Sequence, residues 1–456
     1  MEKTSEPISR RSFLGTAAKV TAAAALAPTV LRAIERNNSK ELNVAIIGAG
    51  TQGRILLRDS LRIPNIRFKA VCDIWKYSQQ YAERSLGKAG HQVNVYEDYR
   101  EMLAKEKDID AVIVATPDFV HAEHAIAALN AGRNVYCEKE MSNTIELSRS
   151  MVEASQKTGK LLQIGHQRRS SPAYMNALAM IKNDNVCGRI TNCFGQWNRP
   201  AQPQLPWPKR YEIPAATLKK FGYDNMDKFM NWRWYRKFSA GPIADLGSHQ
   251  IDIFSWFLGC EPSTVTANGS ADYYPDREWY ADVMAVYEYA TSAGSVRAFY
   301  QVLNTTSYGS YFERFHGDGG TIVISENAAM CYYVPEAEKE LPGWLSGVKP
   351  VARDGMQVIP FLEALAKKGS SAAAMKEYQE KNPHQFHLEN FYDAVRANDK
   401  KKLTCPAEIA YGTAVSVLNV IPAIEKAAKV KISEAAKGSR GFSGGDIMKT
   451  VKWILD

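Results

Sequence analysis

Residues 42–53 read LNVAIIGAGTQG, and this segment carries the strongest fold signal in the chain. The apolar run Leu42–Ile47 is typical of a buried parallel strand, and the Gly-x-Gly-x-x-Gly turn after it opens a helix. In a dinucleotide-binding unit, Gly48 permits the tight turn, Gly50 lets the backbone approach a pyrophosphate at the helix N-terminus, and Gly53 allows the helix to pack closely on the strand. The stretch therefore predicts a Rossmann-type domain that begins at about residue 41.

An acidic residue stands about 20 positions after the last glycine, at the end of the second predicted strand. There Asp73 would accept hydrogen bonds from the adenosine ribose hydroxyls, while Thr51 and Gln52 lie in the turn that receives the pyrophosphate. A carboxylate at this position repels a 2′-phosphate, so NAD is favoured over NADP. The nearby Lys76 keeps NADP as the alternative, and an ordinary turn residue remains the alternative interpretation of Asp73.

Further strands and helices follow this first pair in alternation. The predicted strands lie at residues 67–72, 110–115, 134–137 and 161–165, and the predicted helices between them lie at residues 78–86, 120–131 and 144–158. Such alternation is typical of an open parallel sheet with right-handed crossovers. The sequence therefore predicts an α/β fold whose N-terminal domain, residues 41–170, is a doubly wound parallel sheet.

From residue 171 the pattern changes to runs of alternating apolar and polar residues with turn signals between them. These runs lie at residues 189–198, 264–270, 281–289, 295–303, 311–316 and 320–325. They predict an open, mostly antiparallel sheet in a C-terminal α/β domain, residues 171–456. Helices are expected at residues 244–258, 384–397 and 406–429, and those within 384–428 can pack back on the first domain. A long ordered loop is expected at residues 200–234, and no element is assigned to 327–380.

The chain begins with a segment that has the features of an export signal. Residues 1–40 carry the pair Arg10-Arg11, with Ser9 before it and an Ala-rich apolar stretch after it. This stretch is shorter than the ~20 apolar residues of a membrane-spanning helix, so we expect no membrane span. A twin-arginine signal would send the folded protein to the periplasm. The alternative is a leader in which the arginine pair occurs by chance.

Two short motifs stand where the third strand of this alternation ends, at the edge where the ligand crevice of a doubly wound sheet lies. Thr116-Pro117 ends that strand, and His121 stands near the start of the next helix, close to the expected cofactor. His121 and His124 could in principle bind a metal, but no third ligand stands at a suitable spacing. We therefore predict a cofactor contact here and no metal site.

The strand at 134–137 leads directly into Glu138-Lys139-Glu140. A lysine beside a bound nicotinamide can hydrogen-bond a substrate hydroxyl and stabilise the alkoxide that forms as hydride leaves. Glu138 could orient or neutralise that lysine next to the cofactor. The alternative is an ordinary surface Glu–Lys pair, and the spacing alone leaves both interpretations of Lys139 open.

Asp245, His249 and Asp252 stand at positions i, i+4 and i+7 of a predicted helix and so share one face. An unperturbed histidine titrates near 6.5, which suits a group that takes and returns a hydroxyl proton. Asp245 could orient the imidazole and favour its charged form. The alternative is that Asp245 only caps the helix and that His249 only packs.

Arginines and an aromatic residue lie in the sequence between the last predicted parallel strand and this helix. Arg168 and Arg169 follow the last parallel strand, and Trp234 precedes the helix. Aromatic faces and guanidinium groups suit sugar rings and hydroxyls. These three residues and Asp252 are therefore candidates for substrate contacts, although an interface would use the same residue types.

Four motifs in this order resemble the Gfo/Idh/MocA oxidoreductase family: the turn 48–53, Ala115-Thr116-Pro117, Cys137-Glu138-Lys139 and the stretch 241–252. The resemblance covers roughly residues 42–326 and 384–428. It implies a Rossmann domain, a second domain whose open sheet often mediates oligomers, and sugars or cyclitols as substrates. Carried over to the matching positions, it implies that Lys139 contacts substrate and nicotinamide and that His249 is the acid/base, with Asp245 as its partner.

This chain departs from the family pattern at one position. The family's Glu-Lys-Pro reads Glu-Lys-Glu here, with Glu140 in place of the proline. If the family's Lys-Pro bond is cis, the same bond before Glu140 would cost about 2.5–4 kcal/mol, so this replacement bears on where Lys139 lies relative to the nicotinamide.

Composition sets the remaining bounds. The 456 residues are 45% hydrophobic and 23% charged, which is typical of a soluble globular protein. The net charge of +8 falls to +4 without residues 1–40, which argues against nucleic acid as a partner. Seven cysteines with no CxxC pattern fit buried thiols better than a disulfide framework.

Together these observations predict an exported sugar or glycoside oxidoreductase. An enzyme outside the cytoplasm finds no pool of free nicotinamide cofactor, so its NAD(H) should be tightly bound. Hydride would pass between a hydroxyl-bearing ring carbon and nicotinamide C4, for example to form a keto-glycoside. The alternatives are an NAD-dependent, redox-assisted glycosidase or lyase and a non-catalytic module that binds glycans or a partner enzyme. A homo-oligomer, a dimer or a tetramer, is expected from the resemblance.

Overall fold

A computed structural model describes residues 39–336, 341, 343, 345, 347–362 and 377–432. The export segment predicted from the sequence is residues 1–40, and residues 1–38 lie outside the described part of the chain. Two sheets dominate the described part of the chain, one in each half, and a cavity lies between them.

The N-terminal sheet is parallel throughout, and its strand order is β3-β2-β1-β4-β5-β6. Its strands are β1 (Leu42–Ile47), β2 (Ile66–Cys72), β3 (Asn94–Tyr96), β4 (Ala111–Val114), β5 (Asn134–Cys137) and β6 (Leu162–Ile164). The helices between them are α1 (Thr51–Ser60), α2 (Lys76–Lys88), α3 (Tyr99–Lys105), α4 (Asp118–Asn130) and α5 (Ile145–Thr158). Because the strand order reverses between β1 and β4, this is a doubly wound Rossmann sheet, and the predicted fold class is confirmed.

Two elements of this domain were not predicted from the sequence. The edge strand β3 has only three residues and none of them is buried, so it has no apolar run to reveal it. The following helix α3 begins at a capping residue, Asp98, whose side chain accepts a hydrogen bond from the backbone N–H of Arg100. Both elements are short, and short elements give weak periodic signals.

The C-terminal sheet has the order β13-β12-β11-β7-β10-β9-β8-β16. Its strands are β7 (Ile190–Asn198), β8 (Thr264–Ser270), β9 (Asp282–Thr291), β10 (Gly294–Leu303), β11 (Tyr311–Gly317), β12 (Gly320–Ile324), β13 (Tyr332–Pro335) and β16 (Val430–Lys431), and a separate hairpin contains β14 (Val351–Arg353) and β15 (Met356–Val358). Neighbouring strands are antiparallel except for β7 and β10, which pair in parallel. The sheet is therefore mostly antiparallel, as predicted.

Seven helices whose full bounds lie in the described residues belong to the second half. They are α6 (Pro172–Lys182), α7 (Ala215–Lys220), α8 (Met226–Met230), α9 (Ser248–Leu258), α10 (Pro383–Ala397), α11 (Ala407–Leu418) and α12 (Val420–Glu425). Short 3-10 turns occur at Gln167–Ser170, Lys209–Tyr211, Trp232–Trp234, Ala328–Met330 and Lys400–Lys402. Helices α7 and α8 fall in the stretch 200–234 that was expected to be a loop, so that stretch is more structured than predicted.

A π-helical turn, Ile243–Gly247, leads directly into α9. A π turn adds one residue to the helical repeat, so the side chains on either side of it do not keep the i, i+4 alignment of a regular helix. Asp245 lies within this turn and His249 lies beyond it. The sequence-based placement of both on one regular helical face is therefore wrong.

The last helices pack on both domains. Leu388, Phe391 and Tyr392 of α10 join the core that covers one face of the N-terminal sheet. The continuous apolar stretch Ala407–Glu425, which spans α11 and α12, is the one described helix long and apolar enough to cross a membrane, and 67% of its most apolar window is buried inside the protein. This stretch packs as a core helix, because α11 contacts α5 and α9.

Candidate active site

A cavity of about 870 Å³ lies where the N-terminal strands end. Its wall on that side includes the residues that follow β1, β2, β4 and β5, and its other wall comes from β7, β11, the π-helical turn and α9. In doubly wound sheets this edge is where ligands bind. The cavity is therefore the candidate site, and each predicted residue can be placed relative to it.

The three glycines of the turn have different surroundings. Gly48 has a φ of +92°, and a Cβ on it would lie 2.6 Å from the carbonyl oxygen of Ala115. A Cβ on Gly53 would lie 2.1 Å from the carbonyl oxygen of Gly48, whereas a Cβ on Gly50 would meet nothing within 4 Å. The absence of a side chain at Gly48 and Gly53 thus lets the turn pack closely on its neighbours, whereas at Gly50 the turn is open toward the cavity.

The open side of the turn coincides with the start of α1. Gly50 is the N-cap of this helix, and no side chain caps its first N–H groups. Thr51 and Gln52 line the cavity beside them. Uncapped N–H groups and the helix dipole favour an anion at this point, so the residues present fit the pyrophosphate of a dinucleotide.

Asp73 lies at the end of β2 and lines the same cavity. One of its carboxylate oxygens accepts a hydrogen bond from the N–H of Ala49 (2.7 Å), and the other accepts one from the N–H of Trp75 (2.8 Å). Burial raises the pKa of Asp73 to about 6, although these hydrogen bonds and Arg54 oppose the rise. The carboxylate is fixed at the position where a ribose would be recognised.

Thr116, Pro117 and the following Asp118 line the cavity, but His121 does not. The ring of His121 is 1% exposed and its two nitrogens lie 2.6 and 2.7 Å from the carbonyl oxygens of Thr116 and Glu140. Burial lowers the pKa of His121 to about 4. His121 therefore links the two loops behind the cavity wall, instead of facing a cofactor as the sequence suggested.

His124, one helical turn further along, does line the cavity and contacts the Thr116 hydroxyl at 3.0 Å. Among the residues that the structure describes, no group of three or more His, Cys, Asp or Glu side chains is arranged to hold a metal ion.

Glu138 and Lys139 follow β5 and both line the cavity. Glu138 accepts a hydrogen bond from the Gln52 amide at 3.0 Å and so ties the β5 end to the glycine turn. A Cβ on Gly165 would lie 2.8 Å from the Glu138 carboxylate, so the neighbouring strand approaches it closely. The peptide bond between Lys139 and Glu140 is cis.

The ammonium of Lys139 reaches across to the second domain. It donates to the carbonyl oxygen of Asp245 at 2.5 Å and lies 3.4 Å from the Asp245 carboxylate. Arg233 and Arg199 approach the same carboxylate at 3.2 and 3.8 Å. Burial would raise the pKa of Asp245, but Arg233, Lys139 and Arg199 together hold it well below its usual range. Asp245 is therefore a buried carboxylate that balances three cations.

His249 lines the cavity and lies near Lys139, but it is not paired with Asp245. Its ring packs against Trp197, with 5.4 Å between the centroids, and its Nδ1 has no hydrogen-bond partner among the described residues. Burial and then the positive charge of Lys139 lower the pKa of His249 well below 6.5. The expectation that Asp245 orients the imidazole and favours its charged form is wrong, because Asp245 is occupied by cations and the ring is desolvated.

Asp252 and Arg169 do not line the cavity. The Arg169 guanidinium donates to both carboxylate oxygens of Asp252 at 2.8–2.9 Å, and Thr413 donates to one of them. Both side chains are almost fully buried. They form a buried ion pair between the 3-10 turn Gln167–Ser170 and α9, which places them away from the substrate position suggested by the sequence.

Arg168 and Trp234 also lie outside the cavity lining. Arg168 is 1% exposed and is held by the carboxylates of Glu313 and Glu326. Trp234 packs against Tyr274, and the Arg277 guanidinium lies 4.0 Å from its ring centroid. Neither side chain is placed to touch a substrate directly, because each is enclosed by its own neighbours.

Several cavity residues had no sequence signal strong enough to single them out. They are Gln167, Trp197, Tyr311, Glu326 and His384, all on the second-domain side or at its border. Each is an isolated residue in a strand, in a turn or at the start of a helix, and the elements that carry them are far apart in the sequence. The alternation of β7 indicates which residues share a face, but not which face meets the cavity.

Sequence models of two domain families match this chain. Residues 42–166 match the model described as an oxidoreductase family with an NAD-binding Rossmann fold, and residues 175–323 match the GFO/IDH/MocA C-terminal domain. The two matches together span more than half of the chain and fall on the two sheets. The chain belongs to the Gfo/Idh/MocA oxidoreductase family.

Relatives of this Gfo/Idh/MocA protein include cyclitol dehydrogenases. It is 33% identical over 226 residues to the inositol 2-dehydrogenase of Salmonella typhimurium, a match that covers 49% of this chain and 56% of that enzyme. It is 24% identical over 270 residues to the scyllo-inositol 2-dehydrogenase (NAD(+)) of Bacillus subtilis, covering 59% of this chain and 69% of that enzyme. The matches thus span little more than half the length of several curated relatives.

Solved structures of the Gfo/Idh/MocA type share the fold. A levoglucosan dehydrogenase in complex with NADH and levoglucosan superposes with a TM-score of 0.66 at 20% identity, covering 86% of this chain and all of that one. The myo-inositol 2-dehydrogenase of Lactobacillus plantarum superposes with a TM-score of 0.62, also at 20% identity and with the same coverage. At this level of identity the likeness shows the fold alone.

Proposed function

We propose that this protein is an exported oxidoreductase that acts on a hydroxyl of a sugar or glycoside, with NAD(H) tightly held. The observation that carries the proposal is the meeting of Lys139 and His249 in one cavity with the open glycine turn. The names of the relatives, which are sugar and inositol dehydrogenases, support the same class of substrate. The formation of a keto-glycoside is the version we favour.

The residues that would hold the cofactor are those with fixed positions along the strand ends. Gly50, Thr51 and Gln52 would receive the pyrophosphate, Asp73 the adenosine ribose, and Thr116 with Pro117 the approach to the nicotinamide. When bound, NAD supplies a two-electron hydride acceptor to the site. The fixed carboxylate of Asp73 favours NAD over NADP, because it would repel a 2′-phosphate.

Lys139 and His249 would divide the work on the substrate hydroxyl. The Lys139 ammonium is fixed by Asp245 and can donate a hydrogen bond to the hydroxyl oxygen, which stabilises negative charge as it develops there. His249 is neutral because burial lowers its pKa, so its ring can accept the hydroxyl proton. Asp245 remains ionised and offsets the positive charges of Lys139, Arg233 and Arg199.

A segment of the second domain supports the retention of the cofactor. Residues 205–238, here called the cover segment, contribute Leu205, Phe221, Tyr223, Phe229 and Trp232 to the cavity wall. The segment is fixed to the first domain by an aromatic cluster. In that cluster the Trp75 indole donates to the carbonyl oxygen of Tyr211 at 2.6 Å, close to Asp73. A dinucleotide between the strand ends and the cover segment would leave only if these contacts opened.

Retention of the cofactor and export fit together chemically. The residues Arg10-Arg11 in the leader would direct the folded protein to the periplasm with its cofactor inside. Because a retained cofactor must return to its starting state, a second carbonyl compound would take up the two electrons released by the sugar. The overall reaction would convert one alcohol to a ketone and one carbonyl compound to an alcohol.

The test starts with protein purified from the periplasm without added nucleotide. We expect denaturation to release close to one NAD(H) per chain, and we expect the native protein to oxidise sugars or glycosides when a carbonyl acceptor is supplied. Mass spectrometry of the product should show the loss of two hydrogens, whereas a glycosidase or lyase would give a cleaved sugar. Protein that leaves the cell empty, yet works only with added NAD, would contradict the retained cofactor.

The role of the cover segment in retaining the cofactor is tested with one variant and one matched control. Trp75→Leu removes the indole that donates to Tyr211, and Trp256→Leu removes a comparable indole from α9, away from the cover segment. We expect the first variant to lose bound NAD(H) during dialysis at least tenfold faster than the wild type. The second variant should retain its NAD(H). Equal rates of NAD(H) loss in the two variants would show that the cover segment does not retain the cofactor.

We also propose that the outer face of the C-terminal sheet joins copies of this chain into a homo-oligomer. On that face Met284 and Val286 are 45% and 38% exposed, and Phe194 stacks between Phe299 and Phe312 at centroid distances of 5.4 and 5.8 Å. Apolar groups of this size on one sheet face favour association. Light scattering should give a dimer or tetramer for the wild type and a lower mass for Val286→Lys.

A further inference from the structure

We propose that the end of the cavity formed by Trp197, Tyr311 and Glu326 is a subsite for the second ring of a glycoside substrate. This inference rests on the proposed function, and it adds that the enzyme prefers disaccharides or glycosides with a sugar aglycone over single sugars. All three side chains line the cavity, together with His249. None of them is needed by the proton and charge chemistry at Lys139.

Three rings follow one another along this wall. His249 lies beside Trp197 with 5.4 Å between the centroids, and Trp197 stacks on Tyr311 with 4.5 Å between the centroids and 19° between the planes. The reacting ring would lie at the His249 end, where Lys139 also reaches. The Tyr311 end therefore lies further from the chemistry, and its aromatic surface suits the C–H faces of another pyranose.

A buried arginine fixes the two outer rings from behind. The Arg168 guanidinium carbon lies 5.5 Å from the Trp197 centroid and 5.7 Å from the Tyr311 centroid. Arg168 is held in turn by Glu313, whose carboxylate also accepts a hydrogen bond from Tyr174 at 2.9 Å. Buried charge of this kind holds its neighbours in one arrangement, so the wall is preorganised and Arg168 is a positioning residue.

Glu326 provides the polar half of the subsite. Its carboxylate accepts a hydrogen bond from the Gln167 amide at 3.1 Å and lies 3.4 Å from Arg168, and its side chain is 15% exposed, on the cavity side. A carboxylate has about four acceptor positions, and these two donors leave others for ligand hydroxyls. An ionised acceptor between an aromatic wall and open space is suited to a pair of sugar hydroxyls.

Gln167 points to a ligand independently of Glu326. Its side chain is 4% exposed and lines the cavity, and its amide N–H is used by Glu326. Its Oε1 has no hydrogen-bond partner among the described residues. A buried amide oxygen without a partner is costly, so a ligand hydroxyl that reached it would stabilise the bound state.

The experiment compares one ring with two in the same protein. Binding of cellobiose, maltose, lactose and trehalose to the purified full chain is measured by calorimetry, alongside glucose, galactose and their methyl glycosides. We expect at least one disaccharide to bind tenfold or more tightly than the corresponding single sugar. In Glu326→Gln we expect that advantage to fall by roughly tenfold or more, while single-sugar affinity changes less than twofold, because a charged acceptor is lost only at the second ring.

Two controls keep the result interpretable. Glu336→Gln alters an exposed carboxylate at the end of β13 and should leave both classes of sugar unaffected. Tyr311→Phe keeps the stacked ring and should keep most of the disaccharide advantage, whereas Tyr311→Ala should lose it; melting temperatures of all variants show whether they fold.

The results distinguish failure of the subsite from failure of the proposed function. If disaccharides bind no better than single sugars, or if Glu326→Gln weakens both classes equally, the subsite is refuted and the proposed function stands. If sugars of either class fail to bind and fail to be oxidised in the presence of a carbonyl acceptor, the proposed function is refuted together with the subsite.

Discussion

The ammonium of Lys139 donates to the backbone carbonyl of Asp245 at 2.5 Å, and this contact joins the two domains at the floor of the cavity. Lys139 follows a strand of the parallel sheet, while Asp245 lies in the π-helical turn of the second domain. A substrate hydroxyl would meet the Lys139 ammonium, and this ammonium is held by Asp245, a residue more than 100 positions away in the sequence. Any change in how the domains pack would move the reacting group.

The first prediction concerns the Lys139 ammonium. Lys139→Met should lower turnover by roughly 10²- to 10⁴-fold, because the developing alkoxide loses its charged donor. Bound NAD(H), measured after denaturation, should stay near the wild-type amount. Lys429→Met, which removes a lysine paired with Glu288 outside the cavity, is the control and should turn over normally. Unchanged turnover in the Lys139 variant would refute its assignment.

The second prediction concerns the pH dependence of His249. Burial and Lys139 lower its pKa well below 6.5, so the ring is in its neutral, proton-accepting form at pH 6. Activity that depends on this base should therefore persist below pH 6.5 and fall only at lower pH. The measurement is kcat/KM from pH 4.5 to 8.5 for the wild type and for His249→Gln, which should lose roughly 10²-fold in turnover.

One neighbouring group can complicate that profile and is tested separately. Burial raises the pKa of Asp118 to about 7, with Lys139 opposing the rise. If the wild type shows an inflection near pH 7, it should vanish in Asp118→Asn and remain in the His249 variant. An inflection at 6.5 that depends on His249 would contradict the structure.

The third prediction links Glu140 to stability. Burial raises the pKa of Glu140 to about 8, with Met141 and Lys139 opposing the rise, and one of its carboxylate oxygens has no hydrogen-bond partner among the described residues. Because the folded state binds this proton more tightly than the unfolded chain does, the stabilisation is present below about pH 4.5 and is lost as pH rises toward 8.

Glu140→Gln imitates the protonated form and removes that loss. Relative to the wild type, the variant should gain stability as pH rises from 5 to 8, by up to about 1.4 kcal/mol per pH unit. Denaturant unfolding at each pH measures the difference, with Glu336→Gln as an exposed control that should show none. A difference that does not change with pH would refute the raised pKa of Glu140.

The fourth prediction separates two glycines of one turn. Gly53→Ala places a Cβ 2.1 Å from a backbone oxygen, so it should lower the free energy of unfolding by about 1–3 kcal/mol. Gly50→Ala adds a methyl group to open space with a φ of −69° that alanine adopts readily, so folding should be unaffected. The same methyl group would stand where the pyrophosphate approaches, and bound NAD(H) should fall severalfold. Equal losses of stability in both variants would contradict this division.

The N-terminal domain could be predicted almost completely from the sequence. Strands β1 and β4 are almost fully buried and read as short apolar runs, and the glycine turn has a fixed relation to the strand before it and the helix after it. Local signals of this kind do not depend on the rest of the chain. The edge strand β3 was missed for the same reason, since a partly exposed three-residue strand carries no such signal.

In the candidate site, too, some residues could be predicted from the sequence and others could not. Gly48, Gly50, Asp73 and Lys139 follow strand ends, and the position of a strand end is set by the strand itself. The partners of His249 could not be inferred, because a single π-helical turn alters the alignment of Asp245 and His249. The role of Arg168 could not be inferred either, since nothing local distinguishes an arginine that faces a ligand from one held by Glu313 and Glu326 behind the wall.

From the amino-acid sequence alone one can infer the doubly wound sheet, the place of the dinucleotide turn and the family to which the chain belongs. Periodicity and short motifs carry that information, because they reflect hydrogen bonding and burial within a few neighbouring residues. The pairing of polar side chains becomes visible only in the folded chain: Asp245 with Lys139, Asp252 with Arg169, and Glu326 with Gln167. Such contacts depend on how separate elements pack, and burial then sets the protonation of each group according to the neighbours that packing supplies.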